Sequence, residues 1–141
     1  MIRHLRRFTI LTMFLTAILV WLLLFWHFEK PVITIVDQYN LQTDKEVYKP
    51  WDNVIYTIDL CKRKPATATV TRSLVDWIKI NYDTKTSSVS EWCIVVHNAD
   101  LFIPDFVSDS TYHIEIALEY KVNPIKTEIV YMRTRDFMVK N

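Results

Sequence analysis

Two cysteines, four histidines and a scatter of aspartates are the residues of this chain best suited to chemistry. Cys61 and Cys93 are the only cysteines, and they do not form a Cys-x-x-Cys motif. His97 and His113 lack the His-x-His or His-Glu-x-x-His spacing that brings two imidazoles to one metal ion. We therefore expect both histidines to be ordinary strand residues, and we expect no metal site.

Three aspartates, Asp100, Asp105 and Asp109, fall close together and are predicted to line one loop region. Carboxylates gathered at a loop can coordinate calcium. The EF-hand spacing is absent, however, and apolar residues lie between the aspartates at 101–103 and 106. We favour turn-forming, solvated aspartates, and we keep a calcium site as the alternative.

The chain contains no glycine. Phosphate-binding loops, dinucleotide fingerprints and nucleophile elbows all need glycine, so none of them can be present. No nucleophile–base pair replaces them, and we predict a protein that is not an enzyme and has no cofactor. Turns must use Asn, Asp and Pro instead, as at Asp52-Asn53, Asn98-Ala99-Asp100 and Asn123-Pro124.

Strands must position most of these residues, because period-two alternation is the strongest pattern in the chain. In Tyr112–Val122, apolar residues alternate with more polar ones, which predicts a strand with one buried face. Asn123-Pro124 then turns the chain into a second strand over 126–134. Five more predicted strands cover 32–36, 54–61, 67–75, 77–82 and 92–97. Together they predict an all-β fold, an immunoglobulin-like antiparallel β-sandwich over residues 29–141.

Before this domain, Phe8–Phe28 is a 21-residue apolar run without a formally charged residue. As a helix it would be about 31 Å long, which is the thickness of the hydrocarbon core of a bilayer. The run is longer than the apolar part of a signal peptide, and no small-x-small cleavage site follows it. We predict an uncleaved, single-pass transmembrane helix over residues 8–28.

Arg3, Arg6 and Arg7 make residues 1–7 a basic stub, which the positive-inside rule places in the cytoplasm. The domain then lies in the periplasm, a lumen or the extracellular space. Only 29–31 separate the apolar run from the first predicted strand, so we expect the domain to work close to the membrane surface.

Such a compartment permits disulfides, and the two cysteines form an even count. Each cysteine is adjacent to a core-facing strand residue, Cys61 to Leu60 and Cys93 to Ile94, so both should lie on strand faces away from the core. We predict a Cys61–Cys93 disulfide on the surface side of the domain.

Two short patterns carry a family resemblance. Residues 43–54, Thr-Asp-Lys-Glu-Val-Tyr-Lys-Pro-Trp-Asp-Asn-Val, resemble the segment before the second strand in macroglobulin-type and other Ig-like modules, with Trp51 where those modules have glycine. Asp109–Tyr112 resembles a tyrosine corner, in which a tyrosine hydroxyl bonds the backbone just upstream. The chain also resembles the short membrane-anchored Ig-like proteins of phage and bacterial genomes. These resemblances imply a fold and no activity.

Two groups of residues are candidates for contact with a partner. Lys62, Arg63 and Lys64 form a predicted basic loop that could meet anionic lipid heads, cell-wall polymer or an acidic partner, although a solvated loop is the favoured interpretation. The tryptophans at 51, 77 and 92 suit either the core or an interface, and we expect one or two of them to be partly exposed.

Residues 29–141 carry 14 of the 17 basic residues and all 16 acidic ones, a net charge of −2 that argues against nucleic acid as a partner. We predict a membrane-tethered, non-catalytic interaction or structural module whose partners are the lipid bilayer and another membrane or envelope protein. The alternative is a small single-pass subunit of a larger membrane or phage/virion-associated complex. A homo-oligomer is compatible with the sequence, which contains nothing that supports one.

Overall fold

The computed structural model describes residues 2–28, 30–89 and 92–141, with side chains for 7–25, 30–88 and 92–141. The chain forms two compact units, Met1–Lys30 and Pro31–Asn141. The first unit is a helix and the second is built of strands.

Helix α1 covers Ile2–Phe28, so it begins six residues before the predicted span. The early start is reasonable, because leucine and arginine are good helix formers. Its hydroxyl groups bond their own backbone, for example from Thr12 to the Phe8 carbonyl at 3.1 Å and from Thr16 to the Thr12 carbonyl at 3.0 Å. Arg7–Phe25 has a mean hydropathy of 2.5, so the helix is long and apolar enough to cross a membrane; a signal sequence would share these properties.

The second unit is mostly β, as predicted, and has ten strands among the described residues where we predicted seven. The strands are β1 (Ile33–Ile35), β2 (Val47–Tyr48), β3 (Asn53–Lys62), β4 (Ala66–Val75), β5 (Lys79–Asn81), β6 (Lys85–Val89), β7 (Trp92–Phe102), β8 (Ser110–Lys121), β9 (Thr127–Arg133) and β10 (Phe137–Val139).

These strands form two sheets. In the first sheet the order is β1-β3-β7. In the second it is β2-β10-β8-β4-β5, with β9 also on β8 and β6 also on β4. Neighbouring strands are antiparallel except for β2 and β10, which are parallel.

The core lies between the sheets and follows from the alternation in their long strands. Ile114 and Ile116 of β8 are 0% and 1% exposed, and Val54 and Tyr56 of β3 are 0% and 2% exposed. Burying a large apolar side chain of this kind stabilises a fold by about 1.5–3 kcal/mol. The period-two pattern therefore predicted the buried face of both strands correctly.

Strand β7 corrects a predicted turn. Asn98-Ala99-Asp100 lies inside β7 and does not form a turn between elements. Tyr56 pairs with Ala99 and Ile58 pairs with Val96, so two residues of β7 stand opposite one of β3. This is a β-bulge, and Asn98 has a φ of 60° there. Asparagine tolerates this left-handed conformation better than most residues, which is why the turn signal was misleading.

One side of the domain is closed by residues 36–46, which connect β1 to β2. The main chain of this segment bonds to both sheets: the Leu41 N–H donates to the Arg133 carbonyl at 3.0 Å, and the Asp44 N–H donates to the Ile55 carbonyl at 2.9 Å. Leu41 is buried. We call this the laced side.

The opposite side lies between strands β6 and β7. Within the described ranges, β6 pairs only with β4 and β7 pairs only with β3, so each is an edge strand. We call this the open side.

Candidate functional site

The side chains suited to chemistry are spread over several elements. In the described parts of the chain, no group of three or more His, Cys, Asp or Glu residues is placed to hold a metal ion. Asp100 lies in β7, while Asp105 and Asp109 lie in the segment that follows it, so the three aspartates do not line one loop as predicted. His97 and His113 are both strand residues, as predicted.

The predicted disulfide between Cys61 and Cys93 is confirmed. The two residues face each other in register on β3 and β7. Cys93 is exposed and Cys61 is half-buried, so the bond lies on the surface side of the sheet. It fastens edge strand β7 to the middle strand of the first sheet.

The predicted basic loop is smaller than expected, because Lys62 does not belong to it. Lys62 is the last residue of β3, is buried, and donates from Nζ to the Ala66 carbonyl at 3.0 Å. Burial lowers the pKa of its amine. Alternation along β3 turns this side chain inward, which leaves Arg63 and Lys64 as the exposed cations of the turn.

All three domain tryptophans are exposed, by 65% at Trp51, 93% at Trp77 and 78% at Trp92. This is more than the one or two that we expected. Trp77 lies in the bend before β5 and not in a strand as predicted. Trp92 pairs with Lys62 at the far end of β3 from Trp51, so these two rings cannot belong to one small surface.

Trp51 occupies a turn that normally requires glycine. Pro50 precedes it, the Asp52 N–H donates to the Lys49 carbonyl at 3.1 Å, and Trp51 has a φ of 74°. This is the pattern of a type II turn, whose third residue needs a positive φ. The structure thus keeps the glycine-type turn although a tryptophan stands there.

Several contacts hold Trp51 in this conformation. Its N–H donates to the Ile103 carbonyl at 3.0 Å, and the Ile103 N–H donates to the Asp52 carbonyl at 2.9 Å. The indole packs edge-on against Phe102, with ring centroids 5.6 Å apart. A positive φ in a residue with a large side chain costs about 1–3 kcal/mol. These contacts offset that cost and fix an exposed indole at one end of the domain.

The rest of the resembling segment supports this turn. The Tyr48 hydroxyl donates to Asp44 Oδ1 at 2.5 Å, and the same oxygen accepts the Ile55 N–H at 3.1 Å. Burial and the neighbouring Asp44 carboxylate raise the pKa of Tyr48 to about 12. In the tyrosine-corner pattern, Asp109–Tyr112, the Tyr112 hydroxyl donates to the Ser108 carbonyl at 3.1 Å.

The open side contains a cavity of about 220 Å³ between the two sheets. Its inner wall is apolar and includes Ile58 of β3 and Ile116 and Leu118 of β8. Val96 of β7 and Lys85 of β6 also line it, so it reaches both edge strands. Sequence reasoning missed this cavity, because it depends on how far apart the two edges stand.

Arg72 of β4 is a half-buried cation in this cavity wall. Its Nη1 donates to the Asp100 carbonyl at 2.6 Å, while its Nε is buried and has no hydrogen-bond partner in the described part of the chain. Burial raises the pKa of the adjacent Tyr56, and Arg72 partly counteracts that shift. A buried guanidinium nitrogen without a partner favours an oxygen acceptor supplied from elsewhere.

The three arginines predicted to set the membrane orientation, Arg3, Arg6 and Arg7, lie in the first unit. Arg7 is exposed on α1, whereas the side chains of Arg3 and Arg6 lie outside the described residues.

No protein-family model matches the chain, and no curated protein matches it in sequence. Among solved structures it is similar to the alkylpurine DNA glycosylase AlkC of Pseudomonas fluorescens bound to DNA containing an abasic site analog, with 11% identity over 78% of this chain and a TM-score of 0.48. It is also similar to the sporulation control protein Spo0M of Bacillus subtilis, with 7% identity over 79% of this chain and a TM-score of 0.37. The match spans 31% of the first protein and 51% of the second.

Proposed function

We propose that this protein is a membrane-tethered, non-catalytic interaction module. Helix α1 anchors it with the N-terminus in the cytoplasm, and an Ig-like domain presents the Trp51 turn to another membrane or envelope protein on the far side. The apolar composition of α1 supports the anchor. The division of the strands between two sheets, β1-β3-β7 and β2-β10-β8-β4-β5, supports the Ig-like assignment, because Ig-like folds also consist of two sheets; all neighbouring strands are antiparallel except β2 and β10.

Trp51 is the observation that carries the proposal. Glycine at this position would relieve the backbone, and a polar residue would be better solvated. The chain instead holds a 65% exposed indole there, against Phe102. Exposed, well-fixed tryptophans are frequent anchors at protein interfaces. A strained backbone that displays such a ring is typical of a binding site.

The test places a photo-crosslinking amino acid at position 51 of the full chain in its native membrane. The control carries the same amino acid at Glu119, which is exposed near the C-terminal end of β8. We expect one dominant adduct at 51 and none at 119, with a membrane or envelope protein identified by mass spectrometry. Absence of an adduct at 51, or equal labelling at both positions, would refute the binding role of the turn.

Anchoring and orientation have a separate test. The full chain should remain in the membrane after alkaline extraction and keep its residues 1–28. Protease added to spheroplasts should digest the domain. A mature protein that begins after residue 28, or a domain that the membrane protects, would contradict the tether.

A further inference from the structure

The free edge of β7 has a composition unusual for an exposed strand. From Trp92 to His97 it reads Trp-Cys-Ile-Val-Val-His, with no formally charged residue, no proline and no glycine. Natural edge strands are normally protected by charges, prolines or bulges, because unpaired main-chain groups invite another strand. Here the Asn98 bulge limits the regular edge to these six residues.

The register shows which main-chain groups this edge presents. Asp59 accepts a hydrogen bond from the Val36 N–H through its carbonyl at 3.0 Å, so its main chain points toward β1. Asp59 pairs with Val95, which makes this a non-hydrogen-bonded pair. The N–H and C=O of Val95 must then point to the free edge. By alternation, those of Cys93 point the same way.

The cavity lies beside these groups. Ile94 and Val96 point toward the interior, and Val96 lines the 220 Å³ space. A strand added to β7 would alternate in the same manner, and its inward side chains would enter that space. The cavity is larger than the ~150 Å³ that admits a benzene molecule, so it has room for at least one large aliphatic side chain.

The charge of the cavity lining favours one kind of added strand over others. Lys85, Arg72 and Lys62 all line the cavity, and no carboxylate is among the described residues that line it. Arg72 Nε is buried and lacks a hydrogen-bond partner in the described part of the chain. An acidic side chain of an added strand would meet complementary charge there.

We propose that the open side is a strand-docking site for an extended, partly acidic peptide segment of another protein. The segment pairs with the main chain of Cys93 and Val95, inserts alternate apolar side chains between the sheets, and directs an acidic side chain to Arg72 and Lys85. This is β-strand addition, in which main-chain bonds supply affinity and side-chain pockets supply specificity. The surface is separate from the Trp51 turn, and the proposal does not rest on that turn.

The test uses the full chain in detergent micelles and an acetylated, amidated peptide of roughly nine residues, in which valine alternates with threonine and one valine is replaced by aspartate. Isothermal titration should show saturable binding with a Kd below about 1 mM. A peptide of the same composition with its valines consecutive is the pattern control. A version N-methylated at alternate residues removes the main-chain donors, and both controls should bind at least about tenfold more weakly.

Variants test the protein side. Val95→Pro removes an N–H that points to the free edge, so the native ladder stays intact while binding falls about tenfold. Val95→Thr is the matched control and should bind as the wild type does. Ala99→Trp, at another cavity-lining position of β7, should also weaken binding at least about tenfold by filling the space. Trp51→Gly should leave the Kd unchanged.

Four outcomes would overturn the proposal. The first three are no saturable binding of the alternating peptide, equal binding of its N-methylated form, and wild-type affinity in both Val95→Pro and Ala99→Trp. A fourth is a wild-type dimer that Val95→Pro converts to a monomer, because the edge would then be occupied by a second copy. Should Val95→Pro fail to fold, judged by far-ultraviolet circular dichroism, the N-methylated peptide decides the main-chain contribution.

Discussion

The two sides of the domain close in different ways. On the laced side, residues 36–46 bond to β3 of one sheet and β9 of the other, and Leu41 is buried among them. On the open side, β6 and β7 stand apart with a cavity between them. Among the described residues the first sheet has three strands, so its stability depends on β1 and β7 being held to β3.

The laced side therefore contributes mainly to stability, whereas the open side offers groups that a partner can bind. Several main-chain N–H groups on the laced side are already paired, among them those of Val36, Leu41 and Asp44. On the open side, main-chain groups and apolar side chains are both available at one place. A small domain can leave such an edge unpaired when another constraint holds the strand, and here that constraint is the Cys61–Cys93 bond.

The largest expected effect comes from removing this bond. Replacing both cysteines with serine should lower the free energy of unfolding by about 3–4 kcal/mol, because the bond closes a loop whose ends are 32 residues apart. Urea unfolding of the full chain in detergent, followed by tryptophan fluorescence, would measure it. If the open side depends on this constraint, the rate of amide hydrogen exchange should also increase more in β7 than in β8. Uniform quickening would contradict a special dependence of β7.

The next effect compares the two sides directly. Leu41→Ala on the laced side should cost about 3 kcal/mol, since Leu41 is 3% exposed and cutting back a buried leucine leaves a cavity. Val96→Ala, beside an existing cavity, should cost no more than about 1 kcal/mol. Equal losses in the two variants would mean that both sides are equally well packed.

A smaller effect concerns the Trp51 turn. Because φ is 74° at this position, Trp51→Gly should be more stable than Trp51→Ala by about 1 kcal/mol, which reverses the usual order of these residues. Both variants lose the contact with Phe102, so the difference isolates the backbone. Thermal unfolding of the two variants would measure it, and a more stable alanine variant would contradict the strain.

The smallest effect is a pH dependence. Burial raises the pKa of Tyr48, Tyr82 and Tyr120 to about 12, from an ordinary value near 10. The stability that their neutral hydroxyls contribute is present below about pH 10 and is lost as the pH rises through about 12.

Of the three tyrosines, Tyr82 donates its hydroxyl to the Phe102 carbonyl of β7 at 2.6 Å. Tyr82→Phe should cost less than about 1 kcal/mol at pH 7 and should reduce the further loss between pH 10 and 12. Unfolding measured at several pH values would show this. An unchanged alkaline profile would mean that the pKa of Tyr82 is the same in the folded and unfolded states.

The sequence predicted the features that local patterns determine. Alternation identified the buried face of β8. It also predicted that Cys61 and Cys93 lie on the outer face, because each is next in sequence to a core-facing residue. Strands β2, β6 and β10 were missed, because they have two, five and three residues and exist through pairing with longer strands. Asn98 resembled a turn residue, since the same left-handed backbone serves turns and bulges.

The candidate sites were less predictable than the fold. The composition of residues 43–54 indicated the turn, but the φ of Trp51 depends on bonds to Ile103, about fifty residues later. The exposure of the tryptophans and the open side depend on how far each sheet extends. Single-sequence patterns do not contain that information.

The disulfide also determines how a pulling force would travel. Cys61 is bonded to Cys93 of β7, and it pairs with Thr34 of β1, close to the start of the domain at Pro31. Tension between a partner docked on β7 and the N-terminal end of the domain would run mainly through β7, β3 and β1, which the disulfide and two strand ladders join. The other sheet would carry the smaller share, so its strands could remain folded while the connection was under load.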